Sequence, residues 1–114
     1  MSRDEMMYLQ DIADSCNKVL RFTGGLTLSE LTGDEKTYDA VVRNLEIIGE
    51  AAKHISSDLR KKLPDIEWQK IAGMRDMLAH AYFGIDNDIL WDVVQNKIPE
   101  LARAITQFSG ASQG

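Results

Sequence analysis

The chain has 114 residues, 44% hydrophobic and 27% charged, a composition typical of one globular domain and not of a disordered segment. Its net charge of −5 excludes a strong overall attraction for nucleic acid, so any RNA contact must be local. The apolar runs are too short to span a membrane, the charged N-terminus does not resemble a signal peptide, and the one cysteine, Cys16, cannot form an internal disulfide. We therefore expect a cytoplasmic protein with one domain at 1–108 and a flexible tail at 109–114.

A first long helix is predicted over roughly 3–22. Its apolar residues follow the spacing of three and four that places side chains on one helix face. Gly24 and Gly25 then end the helix. The segment 24–33 is predicted to be a connection whose leucines contact the bundle.

A second long helix is predicted from the N-cap Asp34 to about Ile55. Gly49 lies in its interior, where glycine costs roughly 1 kcal/mol relative to alanine. The close approach of another helix is the simplest compensation for this cost.

The next segment predicts a short helix before Pro64 and then a longer one. Asp65 is a candidate N-cap for the longer helix, which continues to about Tyr82. Gly73 is a candidate interruption within it.

The last helix is predicted to begin at Asp86 or Asp88 and to reach Phe108. Pro99 falls inside it, and a proline there kinks a helix or splits it in two. Since no stretch alternates like a strand, the fold class is predicted to be all-α. The expected architecture is an antiparallel bundle of about four long helices plus short ones.

One stretch concentrates the candidate chemistry: Arg75, Asp76, His80 and Tyr82 lie within eight residues. At 100° per residue, Asp76 shares a helix face with His80, and Arg75 shares a face with Tyr82. Arg75 and His80 point about 140° apart, so one helix alone does not bring them together. A second copy of the helix facing the first would make their convergence easier.

These residue types suit phosphodiester cleavage without a metal. A histidine can exchange protons near neutral pH, and an arginine can bind phosphate and stabilise the charge of a transition state. The Asp76 carboxylate could orient His80 by fixing its tautomer. The spacing leaves open that His80 is a buried structural histidine, that Arg75 and Asp76 form a surface pair, and that Tyr82 is a core residue.

Other cofactor sites have no support in the sequence. The two histidines, His54 and His80, are far apart, and no His-x-x-x-His pair or glycine-rich phosphate loop is present. We therefore predict neither a metal nor another cofactor.

Several blocks together resemble one known family. The pattern formed by Arg75, His80 and Tyr82 looks like the Arg-x4-His-x-Tyr motif of HepT-like proteins in the HEPN superfamily. Further blocks that resemble this family lie at 44–52, 64–76, 82–86, 90–91 and 98–101. Together they cover almost the whole chain, about residues 3–108.

The resemblance implies an all-α HEPN-type bundle that forms a homodimer or a higher assembly. It also implies that this chain is the toxin of a toxin–antitoxin pair. Such a toxin is a metal-independent ribonuclease, and here Arg75 and His80 would cleave the RNA while Asp76 supports these two residues. The cognate antitoxin would be a minimal, MntA-like nucleotidyltransferase that inactivates the toxin by AMPylation of Tyr82.

Two readings stay open beside this one. The chain could be a HEPN binding module that docks onto a nucleotidyltransferase without cutting RNA, or a purely structural helical dimer. Glu46 and Glu50 could support the site or serve only as helix residues.

Overall fold

The computed structural model describes residues 2–80 and 84–113, with side chains described as far as Ser109. All the regular structure in these ranges is helical, which confirms the predicted all-α class. Four longer helices are α1 (Arg3–Thr23), α3 (Glu35–Ala52), α5 (Trp68–Ala79) and α7 (Ile98–Gln113). Three short helices are α2 (Leu28–Gly33), α4 (Ser57–Lys62) and α6 (Asn87–Asp92), and a π-helical segment, Val93–Lys97, joins α6 to α7.

Helix α3 is central because it packs against both α1 and α5, while α1 also packs against α7. The apolar stripes predicted from the sequence supply the core between these helices. Fully buried side chains include Ile12, Val19, Val41, Leu45, Ile48, Ile98 and Leu101. Burial of such stripes, more than helix propensity, stabilises helices of this length.

Two of the predicted helix starts are confirmed by their caps. The Asp34 side chain accepts a hydrogen bond from the Thr37 backbone N–H at 3.2 Å, and Asp86 accepts from the backbone N–H groups of Asp88 and Ile89. Each side chain satisfies backbone donors that have no partner within the helix.

The connection predicted at 24–33 contains the short helix α2. Thr27 caps it by accepting from the Glu30 N–H, and the Glu30 side chain accepts from the Thr27 N–H in return. This reciprocal capping box lets a helix of six residues form, and Leu31 anchors it with complete burial.

Three predicted details of the second and third long helices are wrong. Helix α3 ends at Ala52 rather than Ile55. Asp65 is not the cap of α5, because Glu67 occupies that position and makes no side-chain cap bond. Helix α5 passes through Gly73 without a break and ends at Ala79, before the predicted end at Tyr82.

The kink or split predicted at Pro99 takes the form of a change in helical geometry within a continuous helical stretch. Pro99 is the second residue of α7, and the π-helical segment directly precedes it. A proline would clash with the carbonyl four residues before it in a regular helix. The wider turn, in which the Ile98 N–H bonds to the Val93 carbonyl, relieves that clash.

Cys16 is fully buried in the core, as predicted, and burial raises the pKa of its thiol to about 12. A thiol with so high a pKa is unreactive near neutral pH. Within the described ranges, none of the helices has the length and apolar character that crossing a membrane requires.

Candidate active site

Arg75 is positioned by a close contact between α5 and α3. A Cβ atom placed on Gly49 would lie 2.7 Å from the Arg75 backbone nitrogen and 2.8 Å from its Cβ atom. Such distances are too short for any side chain, so only glycine permits this approach. The expected compensation for a glycine inside a helix is confirmed, and the neighbour is the arginine of the motif.

The Arg75 guanidinium is held between two carboxylates. Its Nε lies 3.3 Å from Glu50 Oε2, and its Nη1 lies 3.4 Å from Asp76 Oδ1. The Arg75 side chain is 42% exposed, so both pairs are open to solvent and weak. A phosphate with two acceptor oxygens can therefore compete with them for the guanidinium.

The Asp76 carboxylate does not contact His80 in the way the sequence suggested. Its Oδ1 accepts from Lys53 Nζ at 2.9 Å as well as from Arg75. The hydrogen bond from Lys53, with a smaller contribution from Arg75, lowers the pKa of Asp76. Asp76 is therefore an anion at neutral pH that links α3 to α5.

His80 is oriented by a main-chain group. It is the C-cap of α5, and its Nδ1 lies 2.8 Å from the Asp76 carbonyl oxygen. Because a carbonyl oxygen can only accept, Nδ1 must carry the hydrogen of this bond. In the neutral ring, Nε2 then holds the lone pair that a general base needs.

A cleft of about 300 Å³ opens beside Arg75 along α3. Its walls include Tyr8 from α1 and His54, which follows α3. The two rings are stacked, with centroids 4.4 Å apart and planes inclined by 9°. His54 Nε2 also lies 3.8 Å from Glu50 Oε1, so Glu50 stands between the aromatic pair and Arg75.

The structure brings only part of the predicted site together. Arg75 and Asp76 are in contact, whereas His80, among the residues described, does not line the cleft that contains Arg75. Tyr82, the predicted AMPylation position, lies outside the described residues. The contribution of Tyr8 and His54 was not predicted, because the 46 positions that separate them leave no local sequence pattern.

No cluster of three or more histidine, cysteine or acidic side chains that could hold a metal ion occurs among the described residues. The carboxylates nearest to Arg75 are already occupied by cationic side chains. Glu50 pairs with Arg75, and Asp76 pairs with Lys53.

Comparison with known proteins identifies the family. The sequence model of the family described as "Ribonuclease HepT-like" matches residues 12–108. The chain is 45% identical over 101 residues to the "Probable ribonuclease HepT" of Thermococcus cleftensis, which covers 89% of this chain and 92% of that protein.

Two further relatives extend the comparison. The chain is 40% identical over 106 residues, 93% of its length and 88% of the relative, to the "Putative RNase MJ0127" of Methanocaldococcus jannaschii. It is 37% identical over 101 residues, 89% of its length and 90% of the relative, to the "Putative RNase TTE0752" of Caldanaerobacter subterraneus. No solved structure matches the chain significantly. The family match and these relatives establish that the chain belongs to the HepT-like ribonuclease family.

Proposed function

We propose that this protein is a metal-independent ribonuclease and the toxin of a cytoplasmic toxin–antitoxin pair. Membership of the HepT-like ribonuclease family supports the activity. The main support from the geometry is that main-chain contacts fix both motif residues. Gly49 sets the position of Arg75, and the Asp76 carbonyl orients the ring of His80.

The proposed chemistry is attack of a ribose 2′-hydroxyl on the adjacent phosphorus. The attacking 2′-hydroxyl loses one proton and the departing 5′-oxygen gains one. His80 Nε2 carries out one of these two transfers and water the other, while Arg75 stabilises the negative charge that builds on the phosphate. The bond from phosphorus to the 5′-oxygen breaks. The products are a 2′,3′-cyclic phosphate and a 5′-hydroxyl.

A homodimer would bring the two residues together. Arg75 and His80 lie five positions apart at the end of α5, about 140° around the helix axis. The cleft at Arg75 does not include His80 of the same chain among the described residues. We propose that His80 of a second copy faces Arg75, so that each cleft is completed by both protomers.

The test is cleavage of single-stranded RNA in the presence of EDTA. We expect wild type to cleave, and both Arg75→Ala and His80→Ala to lose about 100-fold or more of the rate. Arg103→Ala is the matched control, since Arg103 is exposed on α7 away from the cleft. Helical circular dichroism and thermal unfolding would show that all variants are folded.

Two results would contradict the proposal. Equal activity in wild type and the two motif variants would reject the site, and a requirement for added Mg²⁺ would reject the mechanism. Co-purification with a nucleotidyltransferase, without cleavage or growth inhibition, would favour the alternative of a binding module.

We propose further that a nucleotidyltransferase antitoxin inactivates the protein by AMPylation of Tyr82. AMP would add a negatively charged phosphate to the motif, and that charge would compete with the substrate phosphate for Arg75. Mass spectrometry after co-expression with the antitoxin should find AMP-sized additions on Tyr82, and none on a Tyr82→Phe variant. Unmodified Tyr82 in a neutralised complex would reject this mode of control.

A further inference from the structure

We propose that the cleft beside Arg75 is a nucleobase subsite that selects guanine in the RNA substrate. The inference rests on the proposed ribonuclease function and adds a specificity that this function does not include. Four features of the described residues carry it: an aromatic surface, an unpaired carboxylate, two arginines and the size of the cleft.

The aromatic surface consists of Tyr8 and His54. Their rings are nearly parallel at 4.4 Å, and both line the cleft. A planar base can extend this pair as a third layer. Proteins that bind single-stranded RNA use such stacking because every base has an aromatic face.

Glu46 supplies selectivity among the bases. It lies on α3 one turn before Glu50, lines the cleft and is half-buried. Glu50 is engaged by Arg75 and His54, whereas the Glu46 carboxylate has no ion-pair or hydrogen-bond partner within the described part of the chain. Its two oxygens can therefore accept from a ligand.

Guanine matches this carboxylate better than the other bases do. Its Watson–Crick edge presents two adjacent donors, the imino N1–H and the exocyclic amino group, which a carboxylate can accept as a bidentate pair. On the same edge, adenine and cytosine present one donor beside a ring acceptor, and uracil presents one imino donor between two carbonyl groups. A carboxylate would meet repulsion from those acceptors.

Arg43 and Arg75 place positive charge along the same cleft. Arg43 is exposed and has no ion-pair partner among the described residues, so it can contact a backbone phosphate next to the bound base. Three acids, Asp11, Glu46 and Glu50, line the cleft beside these two arginines, so the lining has no excess of positive charge. Binding therefore depends on stacking and hydrogen bonds more than on net charge, which suits a chain at −5.

The size of the cleft suits one nucleotide unit. Its volume of about 300 Å³ is at the lower end of the range for small-ligand pockets. An RNA duplex would not expose a base to this surface, so the ligand is a single-stranded segment with one base inserted.

The experiment measures binding of fluorescein-labelled RNA pentanucleotides, UUGUU, UUAUU, UUCUU and UUUUU, by fluorescence anisotropy. Every ribose carries a 2′-O-methyl group, so the attacking hydroxyl is absent and wild type cannot cleave the probe. We expect UUGUU to bind about tenfold or more tightly than the other three.

Two variants identify the residues responsible. Tyr8→Ala should weaken binding of UUGUU by about tenfold, since the stacking surface is lost. Glu46→Gln should remove the preference for UUGUU while leaving the affinity for the other probes little changed. Glu35→Gln is the matched control, because Glu35 is an exposed acid on the same helix outside the cleft.

Equal binding of the four probes, or no binding of any, would overturn the subsite. An unchanged affinity in Tyr8→Ala would do the same. The outcome is independent of the cleavage assay. If the protein cleaves RNA but binds the four probes equally, the subsite is rejected and the ribonuclease proposal stands. If it prefers UUGUU in the binding assay but does not cleave RNA, the ribonuclease proposal is rejected and the guanine-binding cleft stands.

Discussion

The two sides of α5 differ in how closely they pack and in what they expose. Towards α3, Gly49 lets the Arg75 backbone approach so closely that a single Cβ would clash, and the side chains around this contact are charged. On the second side, which we call the open side, a Cβ added to Gly73 would meet nothing within 4 Å. There Met77 and Ile89 are 44% and 48% exposed.

The open side is a groove of about 260 Å³ with an ionic rim. Glu67 binds Lys70 Nζ at 2.6 Å and Lys97 Nζ at 3.0 Å, linking the start of α5 to the π-helical segment. Ion pairs hold this edge, whereas on the α3 side a close main-chain contact accompanies the ion pairs of Arg75 and Asp76. The role proposed for Arg75 needs a fixed position, and the closely packed side provides it.

The largest expected effect comes from filling the close contact. Gly49→Ala would force α5 away from α3, because the new Cβ would clash with the Arg75 backbone. We expect the free energy of unfolding to fall by about 1–3 kcal/mol, despite the better helix propensity of alanine. RNA cleavage should fall as well, since Arg75 moves with its helix. Chemical denaturation and the EDTA cleavage assay would measure both.

The matched substitution on the open side should change the free energy of unfolding in the opposite direction. Gly73→Ala adds a Cβ to an interior helix position with free space around it. We expect the free energy of unfolding to rise by about 0.5–1 kcal/mol, with cleavage unchanged. Equal destabilisation by the two alanines, measured by urea denaturation, would show that the two sides do not differ in packing.

A smaller effect is expected from freeing the Arg75 guanidinium. Glu50→Gln removes the carboxylate that lies 3.3 Å from Arg75 Nε and competes with phosphate. Because exposed pairs are worth about 0.2–1 kcal/mol, we expect affinity for non-cleavable RNA to rise by about 1.4- to fivefold. Fluorescence anisotropy would measure it, with Glu35→Gln as control. Weaker binding would mean that Glu50 itself contacts the RNA.

The smallest effect concerns the ionic rim. Hydrogen bonds from Lys70 and then Lys97 lower the pKa of Glu67 from 4.5 to about 2. Because the pKa of Glu67 is lower in the folded state, the ionised carboxylate adds to the free energy of unfolding. This stabilisation is present above pH 4.5 and is lost as the pH falls towards 2. Glu67→Gln should therefore lower the melting temperature slightly at pH 7. This difference should shrink on acidification, and a constant difference from pH 7 to pH 2 would exclude the ionic explanation.

Local sequence patterns predicted the helices well where capping and periodicity agree. Asp34 and Asp86 cap their helices as expected, and Pro99 marks the change of helical geometry. The predictions were wrong at α2, where a capping box at Thr27 was missed, and at Asp65, which does not cap α5. Both mistakes concern ends of helices, where several polar residues compete for the same role.

The candidate site was predicted only in part. The motif made Arg75 and His80 the candidate residues because both lie in one short stretch, but several of the groups that contact them were not predicted. The Asp76 carbonyl, rather than its carboxylate, orients His80, and Lys53 occupies that carboxylate. Every residue has a main-chain carbonyl, so the residue type does not reveal which carbonyl will accept a hydrogen bond from a side chain.

By itself the sequence determined the all-α class, the buried stripes and the motif, and it made a close helix approach at Gly49 the simplest expectation, since each follows from residue types and their spacing along one helix. Only the tertiary structure decided that Arg75 makes that approach and that Glu50 holds its guanidinium. It also decided that Tyr8 and His54 stack beside Arg75. The physical reason is that contacts between α1, α3 and α5 depend on how the helices pack, and helical periodicity specifies a face but not the residue that meets it.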